Sequence, residues 1–297
     1  DRRTSRGLGD VYKRQEKFME NESPLKKFQR QPKIYIDLPS KGKYYESPGI
    51  MYENSYTNLA VFSMTANDEI LYKTPDALIN GQATASNMKS CIPAILKPFD
   101  LVSIDVDAIL LAIRMATYGN HMAVSQKCMH CGEENTYDVD LQKYINHLNG
   151  LTFQDSLMYE GFKINVSPLT YQQYTDLQKE SVGYQRALSV QLPAIVDEGE
   201  KDKFKDSILK QIAQLNLKTI LLSLKSIEIE GETETDLKAM FDFIENYDVK
   251  MYQAVKDHIN AQYEAWLLPV ETVVCAACGK ENQLRITVDQ TDFFVKG

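Results

Sequence analysis

The sequence predicts an α+β chain, predominantly helical, in which two small β units frame a long helical stretch. Three observations carry this prediction. Cys128-Met-His-Cys131-Gly132 and Cys275-Ala-Ala-Cys278-Gly279 repeat one pattern, each with β-prone residues on both sides. Most of the 143 residues between Cys131 and Cys275 follow a helical period. The segment before the first pair mixes short β-prone runs with helix-capping patterns.

The two cysteine pairs match beyond the cysteines. Gly132-Glu133-Glu134-Asn135 follows the first and Gly279-Lys280-Glu281-Asn282 the second. Residues 121–125 and 270–274 are the preceding β-like runs, and residues 137–140 and 284–289 the following ones. Each unit therefore reads as strand, Cys-x-x-Cys-Gly turn, strand. Two cysteines three apart on a tight turn aim both sulfurs at one point, and the glycine lets the backbone fold back with positive φ. Two such knuckles supply four thiolates, the donor set of a closed tetrahedral zinc site. Cys128, Cys131, Cys275 and Cys278 are thus the expected ligands of one structural Zn2+ in a zinc-ribbon-like β core, with a long helical insertion between the knuckles. A redox Cys-x-x-Cys sits at a helix start after a strand, whereas β-prone sequence follows both pairs here.

Composition bounds the rest. A length of 297 residues allows two domains, and 43% hydrophobic with 25% charged residues is ordinary for a soluble globular chain. No run approaches the roughly 18 apolar residues needed to span a membrane, and no secretory signal is visible. Five cysteines, four of them in metal-type spacing, suggest a reducing compartment. Cys91 is left over and reads as a small buried apolar residue. Residues 1–15 resemble translated sequencing-adapter text and are expected to be non-native; without them the formal charge moves from −8 to −11. An acidic chain argues against general nucleic-acid binding, because phosphate contacts need a basic face.

The expected organisation is a flexible lead-in over 16–32, an N-terminal α+β domain with the first knuckle over 33–148, a mainly helical insertion over 149–268, and the second knuckle with its C-terminal strand over 269–297. Within the first domain, residues 33–38 and 59–62 read as strands. Pro39-Ser40-Lys41-Gly42 is a turn-rich loop, and it lacks the earlier glycine and the following helix that a phosphate loop needs. Thr65 caps a helix with Asp68 and Glu69 in its first turn. Pro75 opens a second short helix, residues 83–92 form a third, and residues 105–118 the longest, closed by Gly119. Arg114 on that last helix is expected to be solvated or salt-bridged, and Asp105 and Asp107 to be helix-start charges.

In the insertion, residues 140–147, 171–188, 203–225, 233–246 and 249–267 read as helices. Residues 163–166 and 227–231 read as short strands, the second ending in a turn. Residues 197–202 read as an acidic flexible break. Phe204, Ile208, Ile212, Leu215 and Leu222 make the amphipathic stripe of the longest helix, and Thr233 is the expected cap of the next. Three or four of these helices would build a bundle pinned at its base by the metal. Tyr171, Tyr174, Leu177 and Trp266 read as core. Phe293 and Phe294 form an apolar C-terminal tag that must dock on this chain or on a neighbour.

Reaction chemistry is not legible. There is no Gly-x-Ser-x-Gly elbow, no His-Glu-x-x-His and no dinucleotide fingerprint. His121, His147 and His258 have no nucleophile motif beside them, and His130 is only a lesser candidate to replace a cysteine as ligand.

One ordered series of motifs goes further. It runs Ile36-Asp37-Leu38-Pro39-Ser40-Lys41-Gly42-Lys43-Tyr44-Tyr45, Met64-Thr65-Ala66-Asn67-Asp68-Glu69-Ile70-Leu71, Leu78-Ile79-Asn80-Gly81 and Cys91-Ile92. Asp105, the stretch 110–114, Thr117-Tyr118-Gly119 and Cys128-x-x-Cys131-Gly132 complete it. Over residues 33–145 this order resembles the T4-type bacteriophage baseplate hub and hub-assembly proteins. The resemblance implies a non-enzymatic structural or chaperone-like protein that helps build the hub of a contractile tail, with the baseplate hub and tape measure as partners. It places the chain in the host cytoplasm during assembly and in the virion tail baseplate, with no membrane or nucleic-acid partner. The alternatives are a zinc-ribbon nucleic-acid-associated factor, which needs a basic face near the knuckles, and a hydrolase or oxidoreductase using the cysteines. Around the knuckles Glu133, Glu134, Asp138 and Glu281 are opposed only by Lys127, Lys280 and Arg285.

Overall fold

Strand β1, Pro32–Ile36, pairs antiparallel with β2, Leu59–Phe62, and both turn alternate side chains inward. The computed structural model describes residues 30–45, 47–72, 81–288 and 293–294. The described residues from Pro32 onward belong to one unit. The expected adapter-like start, most of the lead-in and the helix opened by Pro75 lie outside the described residues.

Helix α1, Ala66–Tyr72, starts at a reciprocal cap. The Asp68 N–H donates to Thr65 Oγ1 at 3.2 Å while the Asp68 carboxylate accepts from the Thr65 N–H at 2.8 Å. Ser90 of α2, Gln82–Cys91, donates to the same carboxylate at 2.9 Å, which ties the two helices. Cys91 is fully buried, as a small apolar residue should be.

Helix α3, Ser103–Tyr118, is the centre of the core. Its run from Ile104 to Ala116 is apolar on nearly every side, so it is buried almost all round rather than along one stripe. Gly119 ends it at φ 92°. Asp105 is fully buried and accepts from the Ser40 N–H (2.8 Å), the Ser40 hydroxyl (2.6 Å) and the Tyr45 hydroxyl (2.7 Å). It lies in the first turn of α3, as expected of a helix-start residue, and it is also the anchor of the loop between β1 and β2. Burial pushes its carboxyl up to about 6, against the pull of those three donors. Gly42 in that loop has φ 82°, and a Cβ there would lie 2.3 Å from the Tyr56 ring, which stacks on Tyr45 at 4.8 Å.

Strands β3, His121–Lys127, and β4, Glu134–Asp140, form an antiparallel hairpin, and Asp140 caps α4, Leu141–Gly150. A four-stranded antiparallel sheet follows in the order β5-β6-β7-β8. Its members are β5, Ser156–Tyr159, β6, Phe162–Val166, β7, Leu224–Ile229, and β8, Glu232–Glu234. Sequence reading places only β6 and β7. Glu160-Gly161 (φ 46° and 89°) and Glu230-Gly231 (φ 51° and 87°) are two-residue turns with positive φ at both positions, which join neighbouring strands with the right twist. Thr233 consequently lies in β8 opposite Glu228 and caps nothing. The cap of α7, Leu237–Tyr247, is Asp236.

Between β6 and β7 runs a helical hairpin. Helix α5, Tyr171–Arg186, begins with a Thr170/Gln173 capping box. It continues through a π-helical stretch, Ala187–Gln191, into a last turn at Leu192–Ala194. Pro193 has no N–H to give and its ring crowds the carbonyl four residues back, so the ladder widens before it. Helix α6, Glu198–Ser223, returns antiparallel to α5. The acidic residues 198–202 are its first turn, capped by Asp197, because carboxylates favour the positive end of the helix dipole. Helix α8, Val249–Ala265, packs on α6 and β5, and α7 packs on the sheet through Phe162, Phe243 and Tyr247. A four-stranded sheet thus stands among the helices, where the sequence predicts two short strands beside a bundle. The last hairpin is β9, Glu271–Val274, with β10, Glu281–Leu284. The fold class is α+β. Among the described residues no helix is long and apolar enough to cross a membrane.

Candidate metal centre

Each knuckle is the turn of a short hairpin. In the first, the Cys128 N–H donates to Glu133 O at 2.8 Å and the Gly132 N–H to Cys128 O at 2.9 Å. In the second, the Cys275 N–H donates to Lys280 O at 2.9 Å and the Gly279 N–H to Cys275 O at 2.9 Å. The register is the same in both, and Gly132 (φ 76°) and Gly279 (φ 69°) occupy the one position that needs a left-handed backbone.

The hairpins face each other and bring four sulfurs from opposite sides of the long insertion together. The Sγ atoms of Cys128, Cys131, Cys275 and Cys278 all lie within 4.8 Å of one another. Cys128 meets Cys278 at 3.7 Å and Cys131 meets Cys275 at 3.7 Å. No disulfide joins them. A tetrahedral zinc–thiolate site with Zn–S of about 2.3 Å has sulfurs about 3.8 Å apart. The donor set and its spacing fit such an ion. Cys128 and Cys275 are buried, while Cys131 and Cys278 face outward.

Two asparagines lock this arrangement. Asn135 Nδ2 donates to Cys275 Sγ (3.3 Å) and its Oδ1 accepts the Ala276 N–H (2.9 Å). Asn282 Nδ2 donates to Cys128 Sγ (3.4 Å) and its Oδ1 accepts the Met129 N–H (3.0 Å). Both are buried. The sequence repeats them at one offset after each first cysteine, but that signal does not say that they cross between knuckles. Gln126 Nε2 adds a bond to Gln283 O at 3.1 Å.

These donors set the thiol chemistry. Burial raises the Cys128 thiol, but the N–H groups of His130 and Cys131 and the Asn282 amide outweigh it and hold it at about 6. Cys275 is likewise lowered, first by the Cys278 N–H, against burial, with help from Ala277 and Asn135. The Glu133 N–H pulls Cys131 down, yet burial and the three neighbouring sulfurs outweigh it and push it up to about 12. Cys128 is primed as thiolate, and a cation is what lets the Cys131 thiol give up its proton.

His130 stays outside the sulfur cluster, with Nε2 3.2 Å from Glu281 O. His121 pairs with Asp138 at 2.9 Å, His258 lies 2.8 Å from Gln154 O, and His147 is exposed on α4. Arg114 is not the solvated side chain that was one of its two expected states. It is buried, donates to Phe293 O and lies over the Tyr118 and Phe293 rings. Tyr118 donates to Phe294 O at 3.0 Å, so the two phenylalanines dock on α3 of this chain.

Fold and site together define an α+β protein whose internal segment is closed by a four-cysteine cluster with the spacing to bind a metal ion. The chain belongs to the family of T4 bacteriophage base plate proteins, whose family model matches residues 31–295. The match runs through both knuckles and the segment between them, beyond the motif series of residues 33–145. No curated protein and no solved structure matches the chain. Family membership assigns a structural role in the phage baseplate, with other tail proteins as partners.

Proposed function

We propose that this chain is a non-enzymatic structural or assembly protein of the baseplate hub of a contractile phage tail, chaperone-like toward its partners. Cys128, Cys131, Cys275 and Cys278 hold one structural Zn2+ in a zinc-ribbon-like core. The observation that carries the metal assignment is the convergence of four sulfurs within 4.8 Å across the 143-residue insertion. Four cysteine ligands leave zinc no open position, so the bound ion contributes closure of the fold and no activation of water. Segments 33–148 and 269–297 meet at the ion, and segment 149–268, tied at both ends, is presented to partners. Those partners are the baseplate hub and the tape measure, met in the host cytoplasm during assembly and in the virion baseplate.

Co-purification from infected cells tests this reading. Retention of hub or tape-measure protein by the tagged chain is the expected result. A chain that ignores every tail protein contradicts it, and salt-dependent binding to DNA points instead to a nucleic-acid-associated zinc ribbon.

A further inference from the structure

At the root of the α5–α6 hairpin lies a cavity of about 400 Å3, built by four helices. Helix α3 supplies Ser103 and Asp107, α5 supplies Tyr171 and Tyr174, and Tyr263 and Trp266 close it from the end of α8. Asp107 is the only charged lining residue, and no Lys, Arg or His lines the cavity. Among the described residues Asp107 has no hydrogen-bond or ion-pair partner. The buried Ser103 hydroxyl, one helical turn away, has no hydrogen-bond partner either. Tyr174 stands at the open side, 41% exposed, with its phenol raised first by burial and then by the nearby Asp107 charge. Burial likewise pushes the Asp107 carboxyl up to about 6, with nothing to offset it.

Asp107 is half-buried, so water meets part of its carboxylate, and the apolar wall beside it favours a counter-charge that takes the place of that water. Aromatic rings beside a carboxylate suit one guest in particular. A guanidinium lies flat on a tyrosine or tryptophan face while its N–H fork meets a carboxylate side-on. We infer that this cavity is a socket for an arginine side chain carried by a partner protein, with Asp107 as its counter-ion and Tyr174, Tyr263 and Trp266 as its walls. The inference relies on the contact-forming role proposed above only for the source of the arginine. The residues themselves are independent of the metal centre.

The chain has a single tryptophan, and it lines the cavity, so intrinsic fluorescence reports the site directly. N-acetyl-arginine amide titrated into the full-length protein should change Trp266 emission saturably, with a Kd on the order of 1 mM for so small a probe. N-acetyl-citrulline amide, neutral and near-isosteric, should bind at least about tenfold more weakly, and Asp107→Asn should weaken the arginine probe by a similar factor. Tyr174→Leu, at the open side, should also weaken it and provides a second variant should Asp107→Asn fold poorly. Equal responses to the arginine and citrulline probes overturn the proposal, as does the absence of a saturable change or undiminished binding to both variants. A response to spermidine as strong as that to the arginine probe assigns the cavity to a free polyamine and equally overturns it. Zinc content measured on the same samples reports the metal clamp separately, so failure of one reading is distinguishable from failure of the other.

Discussion

Asn135 and Asn282 exchange bonds across the cysteine cluster. Each leaves its own knuckle to donate to the buried sulfur of the other, at 3.3 Å to Cys275 and 3.4 Å to Cys128. Each also accepts the backbone N–H that follows that cysteine. The result is a local two-fold arrangement between hairpins that are far apart in the chain. It orients the sulfurs and gives the Met129 and Ala276 N–H groups protein acceptors.

Replacing either asparagine therefore weakens metal binding without removing a ligand. Asn135→Ala and Asn282→Ala should each lower metal affinity by about 10–100-fold and lower stability by about 0.5–1.5 kcal/mol, since each removes the bonds that cross between the knuckles. Competition against a chromophoric chelator measures the first effect and chemical denaturation the second. Affinities within twofold of the parent protein would show that the crossed bonds are incidental.

The knuckles are legible in the sequence because metal-type turns impose a local spacing that Cys-x-x-Cys-Gly displays by itself. The crossed asparagines were visible as a repeat, yet their roles depend on a juxtaposition that no local pattern encodes. Strands β5 and β8 are not legible because each is an edge strand of only four and three residues, too short to show an alternating pattern. The Glu-Gly turns beside them were the available signal. Arg114 reads as a solvated or salt-bridged charge because the Phe293 carbonyl it meets is 179 residues away in the sequence. The cavity was illegible for the same reason: its walls come from separate helices, and Tyr174 and Trp266 each read as ordinary core.

Asp105 makes the stability of the chain depend on pH in a defined direction. Its carboxyl rises from 3.8 to about 6 on folding, so between those values the native state holds a proton that the unfolded chain has lost. Its contribution to stability therefore falls as pH rises through that window, by about 3 kcal/mol in total. Asp105→Asn mimics the protonated form and does not titrate. The stability of the parent relative to this variant should decline from pH 4 to pH 7 in parallel denaturation series. A difference that stays flat over that range contradicts the account.

Gly42 is restricted twice, by its φ of 82° and by the Tyr56 ring 2.3 Å from where a Cβ would sit. Gly42→Ala should cost roughly 2 kcal/mol or more, combining backbone strain with displacement of the Tyr45–Tyr56 stack. Thermal unfolding checks this, and a loss below about 0.5 kcal/mol, the range of ordinary surface changes, would be inconsistent with it.

Arg114 holds the C-terminal segment down. Arg114→Met keeps most of the packing but strands the Phe293 carbonyl, and should cost about 2–3 kcal/mol. Carboxypeptidase digestion should then pass residues 293 and 294 faster than in the parent chain. Unchanged digestion and unchanged stability would mean that the phenylalanines hold themselves.

The central claim is that two distant knuckles share one ion. X-ray absorption at the zinc edge of the purified protein tests it most directly. The account predicts one zinc per chain with a first shell of four sulfurs at about 2.3 Å. A folded, metal-free protein, or a shell in which nitrogen or oxygen replaces one pair of sulfurs, would contradict it.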